Sequence, residues 1–124
     1  MPKIRIRRRW RTLEINGTTL TLPRGDTAWL EFPMYTQEDE GSEEVLYTLK
    51  PGDKCYFAMK ASYEDDEPII RKLLDGYYLH LLPHDTEGLD LGTYYYDVHI
   101  VYADGDRQTY IKKGRFKLDK EVHT

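Results

Sequence analysis

The stretch Asp90-Leu91-Gly92-Thr93-Tyr94-Tyr95-Tyr96, running on into Asp97-Val98-His99-Ile100, decides the fold. An Asp-x-Gly turn signal opens it, and a long alternation follows in which His99 separates Val98 from Ile100. A period of two belongs to a half-buried β-strand, whose successive side chains point to opposite faces. His99 is expected on the solvent-facing or inter-subunit side of this strand, and Tyr95 is a candidate interface residue.

Working outward, turn signals recur about every ten residues, the rhythm of short strands in a sandwich or barrel. Residues 4–10 begin by alternating apolar and basic side chains, as an edge strand does. Residues 13–22 carry Leu13, Ile15, Leu20 and Leu22 around Asn16-Gly17, the strongest short hairpin signal. In residues 27–35, Ala28, Leu30, Phe32 and Met34 point one way, with Trp29 and Glu31 on the other face. Residues 45–49, 54–61, 69–74, 77–82 and 93–102 read as further strands. Asp104-Gly105-Asp106 turns the last of these into residues 108–112, and residues 115–118 close the fold. Pro83 and the polar residues after it predict one helical turn. The expected fold is all-β, with about nine short antiparallel strands and no long amphipathic helix.

The 124 residues fit a single domain, 1–124, with a basic strand or arm over 1–11. Eleven tyrosines, three phenylalanines and two tryptophans suit half-buried strand positions. A lone cysteine, Cys55, excludes an internal disulfide and points to a reducing compartment. No apolar run approaches a membrane span or a signal peptide, so synthesis in the cytoplasm is expected. The net charge of −4 is unevenly spread: Lys3, Arg5, Arg7, Arg8, Arg9 and Arg11 hold a third of all Lys and Arg. They predict a contact with something acidic. A neighbouring copy's acidic surface fits better than nucleic acid, and an edge strand kept from aggregating by charge is the plain alternative.

Catalytic chemistry is close to silent. His80 and His84 have the spacing of two ligands on a helix, but Pro83 lies between them, and no metal or cofactor is expected. Asp104-Gly105-Asp106 lacks the further oxygens of a calcium loop and reads as a hairpin turn. Arg24-Gly25-Asp26 is ordinary turn chemistry rather than an adhesion motif. Cys55 alternates with Phe57 and Met59, as a buried apolar residue would. Ser42 and Ser62 fall in acidic loops, which disfavours a Ser–His–Asp arrangement. An enzyme would need His84, Asp85 and Asp90 to converge in a pocket.

The stretch 90–96 also resembles the pattern Asp-x-Gly-x-Tyr-x-Cys at the start of the sixth strand of immunoglobulin domains, with Tyr96 in the cysteine position. The resemblance implies a tyrosine corner at Asp90, Gly92 and Tyr94, with the Tyr94 hydroxyl bonding back to a backbone group near residues 84–89. The expected architecture is therefore a disulfide-free immunoglobulin-like sandwich over residues 20–122. Three segments extend the likeness: Arg24-Gly25-Asp26-Thr27-Ala28-Trp29-Leu30-Glu31-Phe32; Leu81-Leu82-Pro83-His84-Asp85-Thr86 with Leu91-Gly92-Thr93-Tyr94-Tyr95-Tyr96-Asp97-Val98; and Ala103-Asp104-Gly105-Asp106 leading to Gly114-Arg115-Phe116-Lys117-Leu118 and Glu121-Val122. In this order they resemble the N-terminal domain of the phage baseplate upper protein family, found in tailed phages and prophages of Gram-positive bacteria. The resemblance implies a non-enzymatic virion structural protein of a baseplate or tail, carrying no catalytic residues. Its partners would be other virion proteins and copies of itself, as a trimer or hexamer. Arg5, Arg7, Arg9, Trp10 and Tyr95 are the candidate interface. The other reading is a carbohydrate-binding module that stacks exposed tyrosines, Trp29 or Trp10 on cell-wall glycan. Tyrosine at a protein interface is the more common use.

Overall fold

A computed structural model of the protein describes residues 4–6, 13–36, 41 and 43–120. Among them are eleven strands and one short helix. The order is β1 (Arg5–Ile6), β2 (Glu14–Asn16), β3 (Thr19–Pro23), β4 (Ala28–Glu31), β5 (Tyr35–Thr36), β6 (Val45–Leu46), β7 (Lys54–Lys60), β8 (Ile70–Leu73), β9 (Tyr78–Leu81), α1 (Pro83–Thr86), β10 (Gly92–Val101) and β11 (Arg107–Asp119). The protein is all-β, as its periodicity predicts. Arg7, Arg9 and Trp10 lie outside the described residues.

A six-stranded sheet runs β2-β3-β11-β10-β7-β8, and a three-stranded sheet runs β1-β4-β9. Their apolar faces join one core cluster: Leu30, Leu79 and Leu81 come from the smaller sheet, and Phe57, Val98 and Phe116 from the larger. Each such side chain, fully buried, contributes about 1.5–3 kcal/mol relative to exposure. Ala28, Leu30, Phe32 and Met34 are all buried, and Cys55 is buried beside Met34. Burial pushes the Cys55 thiol up to about 11, so it is protonated and inert at neutral pH.

The expectation of wholly antiparallel strands fails at one pair. β3 runs parallel to β11, with Leu20 opposite Phe116 and Leu22 opposite Leu118. The Asn16-Gly17 hairpin pairs β2 with β3 antiparallel, so the parallel contact is made by the hairpin's second strand. Nothing local encodes it, because its partners are distant in sequence.

The segment read as two strands, 108–112 and 115–118, is instead the single strand β11. It carries two additional residues against β10. From Tyr96↔Gly114 to Val98↔Ile111 the register advances by two residues on β10 but three on β11, and it slips again between Val98 and His99. In the first bulge Lys113 takes a left-handed φ of 61°. That conformation costs a non-glycine residue about 1–2 kcal/mol. The Tyr63 hydroxyl steadies it by donating to the Lys113 carbonyl at 3.0 Å.

Gly114, next in the chain, is fixed by close approach. A Cβ there would stand 2.5 Å from the Tyr96 ring, while the Tyr96 hydroxyl donates to the Thr18 carbonyl at the β2–β3 turn. Tyr96 thereby joins β10, β11 and the hairpin. Gly114→Ala should lower unfolding free energy by about 1–3 kcal/mol, the usual cost of overpacking. Chemical denaturation reads this directly, and a variant of unchanged midpoint would show that the ring does not sit on the glycine.

Candidate functional site

The corner where β9 hands over to β10 is tied together by backbone contacts. Pro83 begins α1, and Asp85 Oδ2 accepts the Leu82 N–H at 2.7 Å, closing its first turn. Thr86, fully buried, accepts the Gly25 N–H through Oγ1 at 2.8 Å, and Arg24 Nη1 donates to the Leu89 carbonyl at 3.0 Å. The Arg24-Gly25-Asp26 turn is thus packed onto this corner. Tyr94 donates through its hydroxyl to the Asp90 carbonyl at 2.7 Å. The bond falls one residue beyond the expected 84–89 window, four residues back from Tyr94.

His84 is exposed with its Nε2 3.6 Å from Asp85 Oδ1, and Asp85 is also held by Lys72 and the Leu82 N–H. Among the described residues, no group of three or more His, Cys, Asp or Glu side chains could hold a metal ion. Asp104-Gly105-Asp106 is a hairpin turn, in which Asp104 Oδ1 accepts the Asp106 N–H at 2.9 Å. No helix among the described residues is long and apolar enough to cross a membrane.

The outward face of the larger sheet gathers the chemistry. Tyr95 is half-buried there, its ring centroid 4.1 Å from that of Tyr63. Beside this ring pair an open hollow of about 430 Å³ is lined by Lys60, Arg107, Lys112, Lys113 and Asp97. A smaller hollow of about 170 Å³ adjoins it, sharing Lys60, Asp97 and Arg107 and adding Arg71. The Lys113 ammonium lies 5.7 Å from the Tyr63 ring centre, within cation–π range. Among the described residues, no carboxylate forms an ion pair with Lys60, Arg107 or Lys112.

His99 corrects the sequence reading. It lies on the outward face as the alternation requires, yet it is only 4 % exposed. β10 is flanked on both sides, and the Tyr56 ring stacks over the imidazole at 5.3 Å, itself covered by the Arg71 guanidinium. His99 Nδ1–H donates to Asp97 Oδ1 at 3.1 Å, since an ionised carboxylate only accepts. This bond aims the Asp97 carboxylate along the face.

Lys60, Tyr63, Arg107, Lys112 and Lys113 were not singled out from the sequence. The signal available was Lys112-Lys113-Gly114, which breaks the alternation of an otherwise regular strand and marks a bulge. Trp29, a candidate stacking residue, has one face covered by His80, with centroids 3.8 Å apart. Another tyrosine-rich hollow, about 340 Å³ beside Tyr47 and Tyr102, is largely committed to internal bonds. Tyr47 donates to Asp53 Oδ2 at 2.7 Å, and Tyr102 donates to Gln108 at 2.9 Å.

Asp53 also accepts the Lys50 N–H at 2.9 Å and the Ala103 N–H at 3.0 Å, which ties the Pro51-Gly52 turn to the end of β10. The Lys50 and Tyr47 bonds are the main cause of its pKa falling below the ordinary 3.8, and the same bond pushes Tyr47 up to about 12. A depressed carboxylate contributes stability above its unfolded pKa and loses it as pH falls through the folded value. Asp53→Asn should therefore melt lower than the parent at neutral pH, with the gap closing in acid. A gap that stays constant with pH would contradict this assignment.

Comparison with protein-family models, with curated proteins and with solved structures finds no match to this chain.

Proposed function

We propose that this chain is an immunoglobulin-like assembly module of a phage or prophage virion, docking in a baseplate or tail through its sheet edges. The connectivity supports that fold. In immunoglobulin nomenclature β4 and β9 correspond to strands B and E, while β7, β10 and β11 correspond to C, F and G, with β8 as C′. The helical turn α1 and the Tyr94 bond fall at the E–F corner, where such domains carry their tyrosine corner.

The observation that carries the docking role is the β8 edge. It ends the larger sheet, and Leu73 and Ile69 stand 59 % and 44 % exposed along it. Unblocked edges of this kind accept a neighbour's strand, with backbone bonds giving affinity and side-chain pockets giving register. Lys72 is turned back to the His80 carbonyl and Asp85, and Arg71, the charged residue between Ile69 and Leu73, is drawn over the Tyr56 ring. β1, with Arg5 opposite Glu31, offers a second edge on the smaller sheet. Together they suit a closed ring of copies such as a trimer or hexamer. A second reading, a carbohydrate-binding module, is favoured by the Tyr63–Tyr95 platform.

Light scattering over a range of concentrations tests the docking role. The parent should form a discrete oligomer, and Ile69→Lys with Leu73→Lys should release monomers of unchanged circular dichroism. A parent that stays monomeric at high concentration, or an oligomer indifferent to the paired lysines, would sink it.

A further inference from the structure

We propose that the hollow beside Tyr63 and Tyr95 binds a short acidic oligosaccharide, one carrying a carboxylate or phosphate substituent. This rests on the carbohydrate reading and adds the charge of the ligand to it.

Three features converge. First, the β11 bulge turns Lys112 and Lys113 both to solvent, where a regular strand would send one of them inward. Lys60 and Arg107 line the same hollow, so like charges gather on a chain of net −4. Such crowding costs stability through self-repulsion, and an anion relieves it. Second, the strain at Lys113 is confined to this site and is held by a tyrosine of the site itself, Tyr63. Backbone strain and bulges concentrate where a side chain must be aimed. Third, Tyr95 offers an aromatic platform with an amphipathic tip, while Asp97, aimed by His99, is a pure hydrogen-bond acceptor. A sugar ring supplies what each needs: a C–H face for the tyrosine, hydroxyl donors for Asp97, and an acidic substituent for the lysines and arginine. The hollow's volume lies within the range of small-ligand sites.

A nucleic acid fits less well. Single strands bind along successive aromatic platforms, whereas this hollow presents one ring pair. A long polyanion also meets Asp97 and the acidic remainder of the surface. A ligand of one to three sugar units is short enough to feel chiefly the charges within a Debye length of about 8–10 Å.

Calorimetry of the full chain with trigalacturonate, mannose 6-phosphate, maltotriose and a thymidine oligonucleotide tests the assignment. The acidic sugars should bind about tenfold or more tightly than maltotriose, and added salt should erase the difference. Arg107→Ala with Lys112→Ala, both at exposed positions, should cost about tenfold for the acidic sugars and little for maltotriose. Tyr95→Ala should weaken all the sugars while Tyr95→Phe retains them, with thermal melting confirming that each variant is folded. Equal affinity for neutral and acidic sugars would overturn the acidic preference yet leave the carbohydrate reading standing. Absence of any sugar binding would overturn both. An oligonucleotide bound more tightly than the sugars, and lost with the same substitutions, would make the hollow a nucleic-acid site.

Discussion

Tyr96 stands on Gly114, and much of the structure depends on that contact. The ring occupies the space where any larger side chain on β11 would project, and its hydroxyl reaches the Thr18 carbonyl. One residue therefore sets the spacing of β10 against β11 and anchors the hairpin that brings β3 alongside. The chain's one cysteine, Cys55, can form no internal disulfide, so this tie between β10, β11 and the hairpin is made by non-covalent contacts. An aromatic ring packed on a cross-strand glycine is a known means of pinning register. The bulge at Lys113 follows immediately, so the register fixed at Gly114 also decides which lysines reach solvent.

From that point the two faces of the larger sheet diverge in purpose. The inward face is apolar and continuous with the smaller sheet through one core. The outward face carries Lys60, Tyr95, Asp97 and Arg107 over a buried His99. The proposed docking edge at β8 and the proposed sugar site are thus different parts of one sheet, and each can be altered without touching the other.

Much of the fold was legible in the sequence because it is written locally. Asn16-Gly17 and Asp104-Gly105-Asp106 declare their turns, Pro83 declares a helical start, and alternation separates Leu30 from Trp29 and Phe57 from Tyr56. What escaped is non-local or depends on packing. The parallel β3–β11 pairing has no short-range signature. His99 lies on the predicted face but is buried by Tyr56 and Arg71, which alternation cannot reveal. The basic residues of the outward hollow are scattered from Lys60 to Lys113 and meet only after the sheet forms. The conspicuous basic run of residues 3–11 drew the eye to the N-terminus instead, and most of it falls outside the described residues.

The central structural claim, that Tyr96 on Gly114 sets the register of β11 and the bulge beside it, can be tested without any ligand. The measurement is proton NMR of the folded chain, read at the Gly114 α-protons. A ring seated on the glycine should give nuclear Overhauser contacts from these protons to the Tyr96 ring, upfield ring-current shifts for them, and a positive-φ coupling pattern at Lys113. Gly114 α-protons at ordinary shifts, with contacts to a different residue of β10, would place β11 in another register and rule out Tyr96 as the residue that sets it.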